Sequence, residues 1–128
     1  MPTNIAIVDD SSSIRKVIRA FIESHTDWKV CGEAADGEAA IALCERLRPN
    51  LVVLDLSMPV KNGLDAARVI SQVSPNSVMV LFTAHASNQL AVESKRVGIR
   101  AVIEKDGDSS LDELVRVLRV VSKSRLAA

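Results

Sequence analysis

Aromatic residues are nearly absent from this chain, which has two phenylalanines, one tryptophan and no tyrosine. Proteins that bind single-stranded nucleic acid stack the bases on several aromatic rings, and three rings do not make such a row. Lys and Arg together number 16, as do Asp and Glu, so the formal net charge is zero at pH 7. No excess of positive charge exists to attract nucleic acid or an anionic membrane over distance. We therefore expect no direct nucleic-acid binding by this chain.

Cysteines and long apolar runs are also scarce. The two cysteines, Cys31 and Cys44, form no CxxC pair, which argues against a zinc site or a disulfide framework. No apolar run reaches the length of a signal peptide or a membrane span, and the first strand-like run begins almost directly after Met1. We expect a soluble cytoplasmic protein with free thiols and no membrane association.

The chain has five apolar runs that alternate with segments of helical period. A length of 128 residues fits one domain that buries roughly two thirds of its unfolded surface; with no linker-like stretch, we expect a single domain over 1–128. The pattern predicts an α/β fold with a parallel sheet. The three runs that are apolar at nearly every position should be central, and the two that carry charged residues should be edges. The predicted strands are 4–8, 28–34, 51–54, 78–82 and 101–104, with 28–34 and 101–104 at the edges.

The helices are predicted from apolar stripes. A first helix follows Ser11 to Ser13, and a last helix starts near Ser109 or Ser110, since serine often caps a helix. Three further helices are expected near 38–48, 63–73 and 88–97. The apolar stripes of the first and last helices are Ile14, Val17, Ile18, Phe21 and Ile22, and Leu111, Leu114, Val115, Leu118 and Val121.

Polar residues follow four of the predicted strands at their carboxyl ends. In an open parallel sheet the ligand crevice lies at this edge, and carboxylates gathered there need a cation to offset their repulsion. Any one of these residues could be no more than a helix cap, but together they predict a site. The set comprises Asp9, Asp10, Asp55, Thr83 and Lys105.

Order and spacing of these residues resemble the receiver domain of two-component response regulators over nearly the whole chain. The similar features are the acidic pair, Asp-Leu-Ser-Met-Pro at 55–59, Asn62-Gly63, Thr83-Ala84 and Lys105. The resemblance implies a flavodoxin-like, doubly wound sheet of order 2-1-3-4-5 with helices on both faces. It also implies a signalling switch that accepts a phosphoryl group from a histidine kinase, a phosphotransfer protein or a small phosphodonor, and that is not a turnover enzyme.

Site roles follow from the same resemblance. It makes Asp55 the phospho-acceptor and implies Mg²⁺, or Mn²⁺ in its place, held by Asp10, Asp55 and the backbone carbonyl of Ser57. Asp9 would act on the metal through water. Magnesium suits such a set because it prefers a few carboxylates and several retained waters. The residues expected to contact the phosphoryl group are Thr83, Ala84 and Lys105, and those expected to tune its lifetime are Ser57 and His85.

Two positions differ from many members of the family. Val102 stands where many receivers carry Tyr or Phe, so readout by a moving ring is not expected. Asp106 replaces a proline after Lys105, and we predict a trans peptide bond there because a cis bond without proline costs about 2.5–4 kcal/mol. A Lys-Asp pair is more similar to receivers joined to helix-turn-helix domains, which leaves open whether the chain is a complete regulator.

An output surface is expected on the fourth helix, fifth strand and fifth helix. Val92 and Val120 project away from the buried stripes of their helices, close to Val102. In this family that surface serves homodimers or downstream partners.

Two other functions compete with the switch. A phosphohydrolase of the haloacid-dehalogenase kind would need a second acid two residues after the nucleophile, where this chain has Ser57. A receiver that is never phosphorylated and serves only as an interaction module would not need the full acidic set.

Overall fold

Runs of aliphatic residues form five parallel strands in the computed structural model, which describes residues 3–107 and 109–127. The strands are β1 (Asn4–Val8), β2 (Lys29–Ala34), β3 (Leu51–Leu54), β4 (Val78–Thr83) and β5 (Ile99–Glu104). They form one sheet of order β2-β1-β3-β4-β5. The predicted sheet order is therefore confirmed, and so is the prediction that the two polar runs form its edges.

Each strand is followed by a helix, and the first four helices begin at a polar cap. The side chains of Ser11, Asp36, Asn62 and Ser87 each accept a hydrogen bond from the backbone N–H three residues later, which satisfies one of the unpaired donors of a helix start. The helices are α1 (Ser12–His25), α2 (Gly37–Leu47), α3 (Gly63–Val73), α4 (Asn88–Arg96) and α5 (Ser110–Ala127).

Two apolar cores cover the two faces of the sheet. Because side chains alternate along a strand, Ile5 and Ile7 pack toward α1 and α5, while Ala6 and Val8 pack toward α2, α3 and α4. The central strands β1, β3 and β4 are thus buried from both sides. This is the doubly wound arrangement that the sequence predicts.

Some details differ from the prediction. β5 begins two residues early, at Ile99, because Gly98 adopts φ 96° and completes the turn out of α4. Val17 was expected within the buried stripe of α1, but its side chain is 51% exposed. It lies at the mouth of a cavity between α1 and α5 that Leu111 also lines, so the apolar stripe of α1 is wider than the face that the helix buries.

Two further expectations concern the backbone. The peptide bond between Lys105 and Asp106 is trans, as predicted. Within the described ranges, no helix combines the length and the hydropathy that crossing a membrane requires.

Candidate functional site

Backbone hydrogen bonds extend the sheet by one residue past its strands and thereby bring the strand-end side chains to one edge. The N–H of Asp55 donates to Val8 O (2.9 Å), and the N–H of Asp9 donates to Ala34 O (3.1 Å). On the other side, the N–H of Lys105 donates to Thr83 O (2.8 Å). Short strand β3 ends between β1 and β4, so Asp55 lies at the centre of this edge.

Three carboxylates meet there. Each of Asp9, Asp10 and Asp55 offers an oxygen, and these oxygens all lie within 4.8 Å of one another. Asp9 and Asp55 are buried, whereas Asp10 is exposed. The cluster is therefore open to solvent on one side, where a ligand can enter.

Lys105 supplies the positive charge nearest to these acids. Its Nζ donates to Asp9 Oδ2 at 2.6 Å and lies 3.3 Å from Asp55 Oδ1. It also lies 5.6 Å from the centre of the Phe82 ring, a favourable position for a cation. One ammonium against three carboxylates leaves an excess of two negative charges, which a divalent cation would balance.

The buried position of Asp55 changes its acidity. Burial raises the pKa of Asp55. The ammonium of Lys105 acts in the opposite direction and lowers this pKa, while the neighbouring Asp9 carboxylate raises it further. A buried carboxylate beside another carboxylate is held in an unfavourable environment. Neutralisation by a cation, or covalent modification, would relieve it.

The oxygen ligands fit a hard divalent cation. Mg²⁺ and Mn²⁺ prefer carboxylate, carbonyl and water oxygens, and the acidic cluster offers three carboxylates with one open side. The backbone carbonyl of Ser57, in the loop that follows Asp55, is the further ligand that the sequence resemblance implies. This ligand set therefore fits the metal that the sequence resemblance implies.

Thr83 is the buried hydroxyl at this edge. It is 1% exposed, and its Oγ1 accepts a hydrogen bond from the N–H of His85 (3.2 Å). That bond uses a lone pair and leaves the hydroxyl proton available for another acceptor. Ala84 and His85 follow in an exposed loop.

Comparison with known proteins identifies the family. A family model described as the response regulator receiver domain matches residues 5–119. The chain belongs to this family. Receiver domains act in phosphorylation-dependent signalling, receive their signal from histidine kinases or phosphotransfer proteins, bind Mg²⁺ at an acidic cluster and are not classical enzymes.

Curated relatives match it over different shares of their length. Protein CcdB of Bacillus subtilis is 36% identical over 121 residues, which cover 94% of this chain and 96% of that protein. Chemotaxis protein CheY of Thermotoga maritima is 30% identical over 123 residues, covering 96% of this receiver and all of that protein. A protein-glutamate methylesterase/protein-glutamine glutaminase of Pyrococcus abyssi is 46% identical over 77 residues, but these span only 21% of its length.

Solved structures agree with this fold. A LuxR-family response regulator from Aurantimonas sp. SI85-9A1 superimposes with a TM-score of 0.90 at 30% identity and covers 98% of this receiver and 88% of that chain. The CheX-CheY-BeF3-Mg²⁺ complex from Borrelia burgdorferi matches with a TM-score of 0.85 at 28% identity, covering 94% and 90% of the two chains.

The structure adds to the receiver site a residue that the sequence did not indicate. Arg15 of α1 donates from Nη1 to the backbone carbonyl of Asp9 (2.6 Å) and from Nε to Glu33 of β2 (3.0 Å). It therefore ties the segment that carries the acidic pair to both α1 and the edge strand. Arg15 lies on the helix side opposite the apolar stripe, where a surface arginine is the ordinary expectation.

The three residues expected to form the output surface differ in exposure. Val92 on α4 is 53% exposed and Val120 on α5 is 59% exposed, while Val102 on β5 is partly buried. Val102 lines a cavity of about 530 Å³ between β5 and α5, together with Glu104, Glu113 and Arg116. Neither Val92 nor Val120 lines that cavity.

Proposed function

We propose that this receiver accepts a phosphoryl group on Asp55 and thereby switches its affinity for a partner. The observation that supports this most directly is the contact of Lys105 Nζ with both Asp9 and Asp55 beside an open acidic cluster. These residues come from three separate segments of the chain, namely the acidic pair 9–10, Asp55 and Lys105. Asp9 also accepts a hydrogen bond from the N–H of Ser11 (2.9 Å) before α1, but that contact does not account for Asp10 and Asp55 beside it.

The chemistry follows from the position of Asp55. A carboxylate oxygen of Asp55 attacks phosphorus, the bond from phosphorus to the donor's nitrogen or oxygen breaks, and the donor leaves with that electron pair. Asp10, Asp55 and the carbonyl of Ser57 would hold Mg²⁺ or Mn²⁺, with Asp9 acting through water. The bound metal would neutralise the charge on the transferred oxygens. Attack by water later returns the free carboxylate and inorganic phosphate.

Lys105 and Thr83 would bind the phosphoryl group on Asp55. The phosphoryl group adds about 1.5 to 2 negative charges and three acceptor oxygens, to which the ammonium of Lys105 and the hydroxyl of Thr83 can donate. Ala84 leaves room beside it. Ser57 and His85, both exposed next to this site, would set how readily water reaches the phosphoryl group and hence its lifetime.

Partners and location follow from the same function. The phosphoryl donor would be a histidine kinase, a phosphotransfer protein or a small phosphodonor in the cytoplasm, and residues 1–128 would act as one receiver unit that does not itself bind nucleic acid. The surface on α4, β5 and α5 that includes Val92, Val102 and Val120 would bind a downstream partner or a second copy of this chain.

Intact-mass spectrometry tests the proposal. Incubation with a small phosphodonor and Mg²⁺ should add the mass of one phosphoryl group to the unaltered protein and none to Asp55→Asn. The matched control is Asp27→Asn, since Asp27 is exposed and precedes β2, at the opposite end of the strands. This control should be labelled like the unaltered protein.

Each outcome separates the candidate functions. A single adduct that decays slowly supports the switch. Continuous release of phosphate without an adduct would favour the phosphohydrolase, and no reaction at all would leave an interaction module.

A further inference from the structure

The loop between β3 and α3, residues 55–62, is held by two glycines. Gly63 begins α3, and its N–H donates to Leu56 O (2.9 Å); a Cβ on Gly63 would overlap the carbonyl oxygen of Asp55. Gly37 begins α2, and a Cβ on it would overlap the carbonyl oxygen of Lys61 and lie 2.8 Å from its carbonyl carbon. In both places backbone meets backbone, so neither obstacle could rotate away.

Between these two contacts the loop makes a strained turn. The N–H of Lys61 donates to Pro59 O (2.7 Å), which encloses Val60 at φ 70°. A γ-turn with positive φ at its central residue is rare and strained, and more so for a β-branched residue. The Val60 side chain is 78% exposed, so it gains no packing that would offset the strain. The turn persists because the surrounding structure holds it.

The contact at Gly37 restrains the loop more strongly than the ion pair beside it does. Glu38 Oε1 lies 3.3 Å from Lys61 Nζ, but the Glu38 side chain is 59% exposed, and exposed pairs of this kind are weak. Backbone contact between α2 and Lys61 does not depend on charge or salt. It therefore fixes how far the loop can move toward α2.

We propose that Gly37 is a positioning residue for the metal site. Its missing side chain lets α2 pack against Lys61, and this contact restrains the loop that carries the carbonyl of Ser57, four residues earlier, so that the carbonyl stays beside Asp55 as a cation ligand. The inference rests on the proposed function, which makes that carbonyl a ligand. Groups that orient metal ligands commonly change affinity by about 10- to 100-fold when altered.

Magnesium affinity of Gly37→Ala, measured by calorimetry, tests the proposal. Affinity should fall by about tenfold or more, because the added methyl displaces Lys61. Gly32→Ala is the matched control: Gly32 also faces α2, but its Cβ would meet the end of the Leu43 side chain at 2.7 Å, which can move aside. Its Mg²⁺ affinity should stay within about twofold of the unaltered protein.

A second substitution tests whether the turn at Val60 transmits the displacement of Lys61 to the metal site. Val60→Gly in the Gly37→Ala chain should restore a large part of the lost affinity, because glycine lets the turn absorb the displacement. A double variant that binds Mg²⁺ as poorly as Gly37→Ala would overturn the inference.

The unaltered protein offers a measurement that does not depend on whether Gly37→Ala folds. In a Mg²⁺ titration followed by NMR, the amide signals of Gly37 and Ser57 should shift with one half-saturation point, while that of Gly32 stays in place, because coupling between sites is reciprocal. A Gly37 signal that does not respond, or a folded Gly37→Ala that binds Mg²⁺ normally, would overturn the inference. Absence of Mg²⁺ binding by the unaltered protein would instead contradict the proposed function.

Discussion

Lys105 gives the acidic site an internal counter-ion. Its ammonium contacts Asp9 and Asp55 at the same time and so offsets part of the repulsion between the two buried carboxylates. A phosphoryl group on Asp55 would offer Lys105 new acceptor oxygens. The ammonium could then move from the carboxylates to the phosphoryl group, and this exchange of partners would begin the switch.

Val60 is the residue at which the backbone stores strain, and we expect Val60→Gly to stabilise the protein by about 1 kcal/mol. Relief of strained backbone should stabilise the protein by on the order of 1–3 kcal/mol. The greater freedom of glycine in the unfolded chain should reduce this gain by about 0.4–1 kcal/mol. Urea denaturation measures the net change.

A matched control for Val60→Gly is Val92→Gly. Val92 is also an exposed valine, but it lies within α4, where glycine is a poorer helix former by about 0.5 kcal/mol. The two substitutions should therefore change stability in opposite directions. A loss of stability in Val60→Gly would show that the turn is not strained.

The sequence predicts residues at strand ends better than contacts between distant loops. Asp9, Asp55 and Lys105 each follow an apolar run, and parallel strands bring such ends to one edge, so their meeting could be foreseen; their roles stay predictions. The contact between Gly37 and Lys61 depends on how α2 packs against a loop 24 residues later. No local sequence pattern predicts this contact between α2 and the loop. The strained turn at Val60 depends on the same contact and could not be predicted either.

Among the elements, α1 and β2 are joined by charged side chains. Glu33 of β2 accepts from Arg15 Nε at 3.0 Å and from Arg19 Nη1 at 2.8 Å, and Arg19 also lies 3.6 Å from Glu23. Arg15 and Glu33 are partly buried, which makes their pair stronger than an exposed one, whereas the side chains of Arg19 and Glu23 are more exposed. This network fastens the edge strand, whose outer side has no neighbouring strand.

We expect Glu33→Gln to lower stability by about 1 kcal/mol at neutral pH, the usual worth of hydrogen bonds to a charged group after screening. The hydrogen bond from Arg19 lowers the pKa of Glu33, although burial opposes it. A carboxyl whose pKa is lower in the folded state stabilises the protein above its unfolded pKa, and this stability is lost as pH falls through the folded value. The difference from the unaltered protein should therefore shrink in acid.

Denaturation of both proteins at neutral and acidic pH measures this difference. Glu23→Gln is the control, because its pair with Arg19 is exposed on both sides and should be worth only a few tenths of a kcal/mol. A deficit of Glu33→Gln that grows as pH falls would contradict the assignment.

The proposed switch requires the whole receiver to transmit a change at Asp55 to the surface on α4, β5 and α5. One or two hydrogen bonds from Lys105 and Thr83 to a phosphoryl group would together bias the equilibrium by about 3–5 kcal/mol, whereas a nearly complete shift between two states needs about 5.5 kcal/mol. Phosphorylation alone would therefore leave a mixture of states. Because coupling is reciprocal, a partner that prefers the active state should complete the shift and also favour phosphorylation.

Association between copies of this chain should then depend on the surface formed by α4, β5 and α5. We expect Val120→Asp to weaken phosphorylation-dependent self-association by about tenfold or more, since a two-fold interface brings each aspartate near its own copy and desolvates it. Labelling of Asp55 should be unchanged, because Val120 lies in the second half of α5, whereas the α5 residues that line a cavity with Lys105 are in its first turn. The control is Leu47→Asp, which alters an exposed aliphatic residue at the end of α2 and should leave association intact. Sedimentation velocity with a small phosphodonor and Mg²⁺ measures both variants. A phosphorylated protein that stays monomeric, or a Val120→Asp variant that associates normally, would exclude this surface as the dimer interface.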